Sequence, residues 1–235
     1  MKIYQFESLK STNSYLKDHI NEHSNLDVVF TFNQTNGHGR INRVWSSNKD
    51  SLTFSILFKD EFSFTNFESL SLISAVSVYE VLKKEINNVT IKWPNDLLVN
   101  DKKICGILLE SRISSKMESI ILGIGLNVNN QSFADGLNAT SMFIENNKTY
   151  DIKKLLKKIV KNIIKNINLL KKGKSKHIEI INKVNYLYNK TAYALINEKR
   201  LLVTVLQILP NNHLQVKYND DILEVSTDEI TFHKN

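Results

Sequence analysis

The longest run of strand-forming sequence is V89-TIKWPNDLLVNDKKICGILLESRISSKMESIILGIGLN-V128. Its apolar, β-branched runs predict four successive strands, at residues 89–92, 97–99, 104–111 and 119–128. Asn100-Asp101 is a typical tight turn between the second and third of these strands. The stretch therefore predicts a run of strands that belong to one mixed sheet.

Upstream of this stretch the pattern indicates more strands and two helices. Short apolar runs predict strands at residues 2–6, 28–32 and 51–58. Ser11 or Thr12 is a good N-cap for a first helix, and residues 70–84 have the apolar spacing of a second. The combination predicts a mixed sheet with helices packed on it.

Downstream lies a strongly basic segment. The chain carries a net charge of +7, and residues 153–176 hold ten lysines and no acidic residue. Apolar residues recur at steps of three and four from Ile152 to Leu170, which predicts a helix with one buried stripe and a lysine-coated outer face. A solvated face, a docking surface for an acidic partner and a nucleic-acid surface all fit this charge. Nucleic-acid binding favours interleaved arginines and aromatic residues, which the helix lacks.

The end of the chain has a different pattern. Short strands are predicted at residues 191–196, 201–208, 214–218 and 222–225, separated by turns rich in asparagine. This spacing suits a small β-barrel. We therefore predict a catalytic domain at residues 1–185 and a barrel at residues 186–235.

Composition excludes several classes of protein. With 235 residues, 42% hydrophobic and 23% charged, the chain is long and apolar enough to bury a core. It has no run of about 18 apolar residues and no signal-peptide core, so we expect a cytoplasmic protein that does not bind membranes. A lone Cys105 excludes an internal disulfide, and the six histidines lack zinc-ligand spacing. Cys105 is expected to be a small core residue.

The scarce residue types gather in three places. The first is a loop at residues 34–45, where Gly37, Gly39, Arg40, Arg43 and Trp45 lie close together. Glycines let backbone amides approach an anion, arginines bind phosphate or carboxylate, and an indole offers a stacking surface. The loop lacks the spacing of a Walker or dinucleotide motif. A nucleotide-binding loop and a plain glycine hairpin with surface arginines both remain open here.

The other two clusters lie in the stretch of residues 89–128. Lys92-Trp-Pro-Asn-Asp96 precedes Asp101-Lys-Lys-Ile-Cys-Gly-Ile-Leu-Leu-Glu110, and Gly123-Ile-Gly-Leu-Asn-Val128 lies on the last predicted strand. Lys92 or Lys103 could place a compact cation beside a phosphate, and a hairpin with surface lysines is the alternative. The strand glycines indicate close approach by a ligand or another backbone.

Together these segments resemble the biotin protein ligase family. The family pattern runs Ser-Thr-Asn, Q-T-x-G-R-G-R-x-G-R-x-W, K-W-P-N-D, K-x-x-G-I-L-x-E and G-x-G-x-N-V. The chain matches it in order at residues 11–13, 34–45, 92–96, 103–110 and 123–128. The resemblance implies an α+β fold of the class II aminoacyl-tRNA synthetase and biotin ligase type, with a small C-terminal SH3-like barrel.

The resemblance also implies roles for individual residues. Biotin would be bound by Ser11, Thr12, Asn13, Gln34, Gly37, His38, Gly39, Arg40, Lys103 and Gly106. ATP would be bound by Arg40, Arg43, Trp45, Lys92, Asn95, Asp96 and Asn127. Lys103 and Arg40 would be the catalytic residues, with Lys103 at the reacting carboxylate and phosphate and the loop of residues 38–40 closing over the intermediate. No protein cluster is expected to hold a metal, and Mg²⁺ would arrive with ATP near Asp96.

The implied reaction has two steps. Biotin and ATP would form biotinyl-5′-AMP, and a lysine of a biotin carboxyl carrier protein would then accept the biotin. A homodimer is compatible with the resemblance. Only ten residues precede Ser11, so we expect no helix-turn-helix domain and no DNA binding. A lipoate or octanoate protein ligase of the same superfamily and a noncatalytic biotin-binding module are the alternatives, although the lipoate-type Arg-Arg-x-x-Gly-Gly-Gly-x-Val-x-His-Asp segment is absent.

Two residues depart from the family pattern. His38 stands where the family usually has arginine, and Asn42 stands where it usually has glycine. The histidine removes a positive charge that the family pattern would place at position 38. The second changes the loop backbone little, because asparagine tolerates left-handed angles better than most residues.

Overall fold

A seven-stranded mixed sheet forms the larger part of the protein. The computed structural model describes residues 1–40, 43–59, 67–113, 117–196, 198–226 and 230–231. The strands of this sheet are β1 (Ile3–Leu9), β2 (Val28–Gln34), β3 (Ser51–Lys59), β4 (Val89–Lys92), β5 (Asp96–Val99), β6 (Lys102–Ile113) and β7 (Met117–Asn127). Their spatial order is β1-β2-β3-β7-β6-β5-β4. β1 and β2 are parallel, and each of the other neighbouring pairs is antiparallel.

Helices cover both faces of this sheet. They are α1 (Thr12–Asp18), α2 (Phe67–Leu82), α3 (Met142–Asn146), α4 (Ile152–Lys171) and α5 (His177–Lys183), with a 3-10 turn at Ile20–Glu22. α1 connects the parallel strands β1 and β2, as a crossover requires. None of the helices in the described part of the chain is long and apolar enough to span a bilayer.

The two faces of the sheet bury different side chains, because successive residues of a strand point in opposite directions. On one face, which we call the core face, residues such as Phe30, Ile56 and Leu122 pack with α2 and α4. On the other, the α1 face, a smaller cluster joins Val29, Leu57 and Ile121 to Leu16 and Ile20. Burying one such apolar side chain stabilises the folded protein by about 1.5–3 kcal/mol relative to leaving it exposed to water.

The predicted basic helix is confirmed as α4. Asp151 caps its N-terminus by accepting a hydrogen bond from the Lys154 amide at 3.0 Å. Its buried stripe includes Leu156, Ile159 and Ile163, and α4 packs against α2 on the core face. The lysines of its outer face are therefore remote from the α1 face.

A second, antiparallel sheet follows at the C-terminus. Its strands are β8 (Thr191–Ile196), β9 (Lys199–Ile208), β10 (Leu214–Tyr218), β11 (Asp221–Val225) and β12 (Ile230–Thr231), in the order β11-β10-β9-β8-β12. The mixed sheet backed by helices and the small C-terminal unit of SH3-like type confirm the predicted α+β fold.

The two sheets meet at Trp93. Its indole nitrogen donates to the carbonyl of Asn212 at 2.9 Å, and the Asn212 amide donates to Ser69 Oγ at 3.0 Å. The backbone of Ile91 also bonds to Val184 and Tyr186. Core residues of both sheets form one apolar cluster. The predicted boundary between residues 185 and 186 falls at this junction and stays a prediction.

The strands and the long helices agree with the sequence prediction, whereas three short elements were not predicted. α3 has five residues, α5 has seven and β12 has two. Elements this short hold too few repeats for apolar periodicity to reveal them. α3 is started by its cap, since Ser141 Oγ accepts from the Ile144 amide at 3.1 Å.

Candidate active site

Three glycines leave part of the α1 face without side chains. Pairing places Gly106 beside Asp96 on one side and Gly125 on the other, while Gly123 lies beside Leu108 and Ser55. Residues paired in this way point to the same face of the sheet. Gly106, Gly123 and Gly125, which we call the glycine floor, therefore form a patch without side chains at the centre of the sheet.

Side chains from outside the sheet lie on the glycine floor. A Cβ at Gly125 would overlap the indole of Trp45, and a Cβ at Gly123 would overlap the amide of Asn13. A Cβ at Gly106 would lie 3.2 Å from both Trp45 Cζ3 and Lys103 Nζ. Glycine is thus required at these strand positions because other side chains lie directly against the backbone, and the predicted close approach is confirmed.

The N-terminus of α1 forms one end of the site. Ser11 caps the helix, accepting from the Ser14 amide at 3.3 Å. The Thr12 amide donates to Gln34 Oε1 at 2.8 Å. Ser55 Oγ lies 2.7 Å from Thr12 Oγ1 and 2.6 Å from Asn13 Oδ1. Ser11, Thr12 and Asn13 are at most 4% exposed. The predicted biotin-end residues are brought together as a buried polar cluster, and their contact with biotin stays a prediction.

The described residues of the glycine loop, 34–40 and 43–45, pair with each other beside this cluster. The Trp45 amide donates to Gly37 O at 2.9 Å, and the Gly39 amide donates to Arg43 O at 2.7 Å. A Cβ at Gly37 would overlap the backbone carbonyl oxygen of Trp45 and lie 2.7 Å from Gln34 Nε2, so only glycine fits there without displacement. Asn42 lies outside the described residues.

The loop also carries the two predicted arginines and His38. Arg40 is half-buried and Arg43 is exposed. His38 pairs with Val44 through the backbone, and its Nε2 lies 3.3 Å from Glu110 Oε2. The fold thus sets Trp45 and His38 over the α1 face, while Arg43 faces solvent.

Lys103 and Asp96 form the other end of the site. Lys103 Nζ lies 2.7 Å from Asp96 Oδ1 and 5.6 Å from the centroid of the Trp45 ring. A bulge at Ile104 shifts the pairing of β5 and β6, so that Lys103 pairs with Leu98 and Cys105 with Leu97. One extra residue reverses the face to which a side chain points. Regular alternation from Cys105 would have directed Lys103 to the core face.

Backbone contacts hold Lys103 in this position. The Lys103 amide donates to Asn138 O at 3.0 Å, and the Thr140 amide donates to Lys103 O at 2.9 Å. Asn127, which is 4% exposed, donates from Nδ2 to Thr140 O at 3.0 Å. Asn127 therefore supports the segment that positions Lys103, and its predicted contact with the nucleotide stays a prediction.

The remaining predicted residues lie around Asp96. Lys92 pairs with Asp96 and therefore points to the same face, with its Nζ 5.9 Å from the Tyr186 ring centroid. Asn95 Nδ2 donates to Ile107 O at 2.9 Å, and the Ile107 amide donates back to Asn95 O. The amide nitrogen of Asn95 is thus engaged with β6, and its role toward ATP stays a prediction.

Two site residues were missed from the sequence. Ser55 holds Thr12 and Asn13, and Glu110 Oε2 accepts from Asn13 Nδ2 at 2.8 Å. Alternation along β6 places Gly106, Leu108 and Glu110 on one face, so the spacing could have indicated Glu110. Ser55 carried no such signal, because a serine inside an apolar strand has many explanations.

Cys105 lies in the core of the protein. Cys105 is fully buried, and burial raises the pKa of its thiol far above the ordinary value, which confirms it as a core residue. Among the described residues, no three His, Cys, Asp or Glu side chains form a group that could hold a metal ion. Asp96 offers a single carboxylate beside the glycine floor.

Known proteins resemble this chain in sequence and fold. Residues 5–127 match the biotin/lipoate A/B protein ligase family. The bifunctional ligase/repressor BirA of Bacillus spizizenii is 38% identical over 122 residues, which are 49% of this chain and 38% of that protein. The biotin–[acetyl-CoA-carboxylase] ligase of Paracoccus denitrificans is 31% identical over 104 residues, 43% of each chain. The match thus spans about two fifths of the length of these curated relatives.

Solved structures extend the likeness over the whole chain. The biotin protein ligase from Aquifex aeolicus in complex with biotin and ATP superposes with a TM-score of 0.87 at 26% identity, covering 100% of this chain and 99% of that one. The fold alone is shared with the Helicobacter pylori biotin acetyl coenzyme A carboxylase synthetase with bound biotinylated ATP, at a TM-score of 0.63, 21% identity and coverage of 95% and 99%.

Proposed function

The chain belongs to the biotin/lipoate A/B protein ligase family, and from this premise we propose that it is a biotin protein ligase. It activates biotin with ATP to biotinyl-5′-AMP and transfers biotin to a lysine of a biotin carboxyl carrier protein, the reaction of biotin–[acetyl-CoA-carboxylase] ligases. The observation that carries the proposal is the glycine floor, with a buried polar cluster at one end and the Lys103 cation at the other.

This arrangement matches the chemistry of biotin along its length. Biotin has a ureido ring with hydrogen-bond donors and an acceptor, an apolar chain and a terminal carboxylate. The hydroxyls of Thr12 and Ser55 and the amide of Asn13 offer partners to the ring. The glycine floor leaves room for the chain and Lys103 meets the carboxylate. A buried polar cluster of this kind favours biotin over lipoate, whose dithiolane ring has no hydrogen-bonding groups to engage it.

In the first step, a carboxylate oxygen of biotin attacks the α-phosphorus of ATP. The bond between the α-phosphorus and its bridging oxygen breaks, and pyrophosphate leaves. Lys103 brings the two anions together and stabilises charge that builds up on the α-phosphate. Its ion pair with Asp96 and its bulged backbone hold the cation in place before substrate binds.

The ATP side of the site is proposed to lie between the glycine loop and β5. Trp45 offers an aromatic surface, while Lys92, Arg40 and Arg43 supply positive charge, and Asn95 and Asn127 stiffen the backbone around them. The Asp96 carboxylate fits a Mg²⁺ ion that reaches the site with ATP phosphates, because such ions take one or two protein carboxylates. Bound there, Mg²⁺ would supply charge neutralisation at the phosphates.

In the second step, the acceptor lysine amine attacks the acyl carbon of the adenylate and AMP leaves. The protein supplies positioning and exclusion of water, because the mixed anhydride hydrolyses when exposed. Arg40 and the glycine loop are proposed to cover the intermediate until the acceptor arrives. A cytoplasmic location, a homodimer and the absence of DNA binding remain predictions.

The test is incubation of the protein with Mg-ATP, biotin and a biotin carboxyl carrier domain, followed by intact-mass measurement of the carrier. We expect a mass increase of one biotinyl group that requires ATP and is lost when the acceptor lysine is replaced by arginine. Parallel reactions with lipoate and octanoate in place of biotin test the alternative that the protein is a lipoate or octanoate protein ligase. Modification by lipoate but not biotin would reject the proposal, and biotin binding without pyrophosphate release would indicate a noncatalytic module.

A further inference from the structure

The connection between β4 and β5 carries charged residues at both of its ends. Lys92 is the last residue of β4, Asp96 is the first of β5, and the two are paired. Paired residues point to the same face of a sheet, so both charges belong to the α1 face. The backbone of this turn, residues 92–96, therefore sets the position of the Lys92 ammonium and the Asp96 carboxylate.

Three residues inside this turn are bonded to three different elements. Trp93 Nε1 donates to the backbone carbonyl of Asn212 at 2.9 Å. Ser71 Oγ, on α2, donates to the carbonyl of Pro94 at 3.0 Å. Asn95 is bonded to β6 through its backbone and its side chain. The C-terminal sheet, α2 and β6 thus hold the turn together, and Asn212 is the contact from the C-terminal sheet.

Asn212 is itself held firmly in the loop between β9 and β10. Its backbone amide donates to Leu209 O at 2.9 Å, and the Leu209 amide donates to His213 O at 2.8 Å. Its φ angle is +74°, in the left-handed region that asparagine tolerates better than most residues. Its side chain donates from Nδ2 to Ser69 Oγ, on α2, at 3.0 Å. One residue of the C-terminal sheet therefore contacts both the turn and α2.

Burial makes the contact between Trp93 and Asn212 costly to break. Trp93 is 2% exposed and Asn212 is 6% exposed. A buried N–H that loses its acceptor pays the cost of desolvation without a hydrogen bond in return. Trp93 packs in the core, whereas its chain neighbour Lys92 belongs to the α1 face. A shift of the indole on the core side would therefore move the charged residue on the site side.

We propose that Asn212 is a positioning residue for ATP: it holds Trp93, and through Trp93 it fixes the turn that carries Lys92 and Asp96. This inference rests on the proposed function and assigns Asn212 no contact with ATP. It gives the C-terminal sheet a part in nucleotide binding. The polar cluster proposed for the biotin ring belongs to α1, β2 and β3, which the Trp93–Asn212 contact does not touch. The effect should therefore fall on ATP and spare biotin.

Two variants of the contact are compared with two controls. Trp93→Phe keeps an aromatic ring and removes the Nε1 donor, whereas Asn212→Gly keeps the backbone carbonyl and the positive φ angle and removes the side-chain amide. Asn211→Ala is the matched control in the same loop, because the exposed Asn211 bonds to Glu224 within the C-terminal sheet. Ile159→Val, in the buried stripe of α4, controls for a loss of stability alone.

Four quantities are measured for each protein. Biotin-dependent pyrophosphate release gives kcat and the KM for ATP. Calorimetry gives the Kd of Mg-ATP and, separately, the Kd of biotin. Denaturant titration gives the unfolding free energy, so that each activity is read from protein known to be folded.

The expected results separate positioning from stability. Trp93→Phe should raise the KM and Kd for ATP by about two- to tenfold, the effect of one lost hydrogen bond, with the biotin Kd within about twofold of the wild type. Asn212→Gly should give a smaller increase for ATP, because its carbonyl still accepts from Trp93. Asn211→Ala should match the wild type. Ile159→Val should lower the unfolding free energy and leave the KM for ATP unchanged.

Several outcomes would overturn the inference. If folded Trp93→Phe and Asn212→Gly are less stable but bind Mg-ATP as the wild type does, the contact is purely structural, and the proposed function stands. Equal weakening of biotin and ATP binding would also refute it, because the whole site would then be loosened. Absence of biotin-dependent pyrophosphate release by the wild type would refute the proposed function, while calorimetry with Mg-ATP would still test Asn212. Absence of Mg-ATP binding by the wild type would refute both.

Discussion

The same strands build two very different surfaces on the two faces of the large sheet. On the core face, β3 and β7 present Phe54, Ile56, Leu122 and Ile124. On the α1 face, the residues between them are Thr53, Ser55, Gly123 and Gly125. The core face is covered by two long helices, whereas the seven-residue α1 covers only part of the other.

Division of labour between the two faces lets one sheet provide both stability and a binding site. Large apolar side chains on the core face anchor the strands, so the alternate positions are free to carry small and polar residues. A glycine in a strand is destabilising by itself, and the packing of the opposite face offsets that cost. Substitutions on the α1 face should therefore change activity, and those on the core face should change stability.

The largest effect is expected for Lys103→Ala. Removing a preorganised cation at the reacting phosphate typically slows a reaction by about 10²- to 10³-fold. Biotin-dependent pyrophosphate release by a folded variant measures this. Lys102→Ala, at the neighbouring exposed position that pairs with Val99, should stay close to the wild type. A near wild-type rate for Lys103→Ala would remove this residue from the proposed mechanism.

The next effect is expected for Gly125→Ala. The added methyl group would overlap Trp45, and overpacking of this kind costs about 1–3 kcal/mol. That energy corresponds to roughly a 5- to 150-fold loss of ATP affinity. Ile124→Val is the matched change on the core face; it should lower unfolding free energy by about 0.5–1.5 kcal/mol and leave kinetics unchanged. Equal effects of the two substitutions on activity would contradict the division between the faces.

A smaller, several-fold effect is expected for Arg40→Gly. The half-buried Arg40 follows the glycines of the loop that lies beside the α1 face, and its loss should let adenylate escape early. Adenylate formation should persist, because Lys103 remains in place. The ratio of bystander labelling to ATP consumption measures escape, with the exposed Arg43→Gly for comparison. No increase in this ratio would mean that Arg40 does not retain the intermediate.

The smallest effect concerns pH and the core side of the molecule. Burial lowers the pKa of His177, and the nearby Asn212 offsets part of that change. As pH falls below the ordinary histidine pKa of about 6.5, the unfolded chain takes up a proton that the folded protein resists, so unfolding free energy decreases. His177→Gln should make this decrease shallower in denaturant titrations between pH 7 and 5. Some dependence of the unfolding free energy on pH should remain in this variant, because burial also lowers the pKa of His23.

Local pattern explains why much of the molecule could be predicted. The strands at residues 191–196 and 214–218 have the predicted bounds, and the helix from Ile152 follows its apolar spacing. The turn at Asn100-Asp101 has positive φ angles of 48° and 65°, as a tight hairpin turn requires. Short elements such as α3 escaped prediction, because their caps and tertiary contacts stabilise them more than their periodicity does.

Most of the residues that gather on the α1 face could be named from the sequence, although Ser55 and Glu110 were missed, and three of the motifs fall on the consecutive strands β4 to β7. The contacts between these residues depend on the tertiary structure. The bulge at Ile104 directs Lys103 toward Asp96, and Glu110 reaches both Asn13 and His38 across 97 and 72 residues of chain. Periodicity is a property of adjacent residues, whereas a bulge and a long-range hydrogen bond depend on which strands pair and in which register.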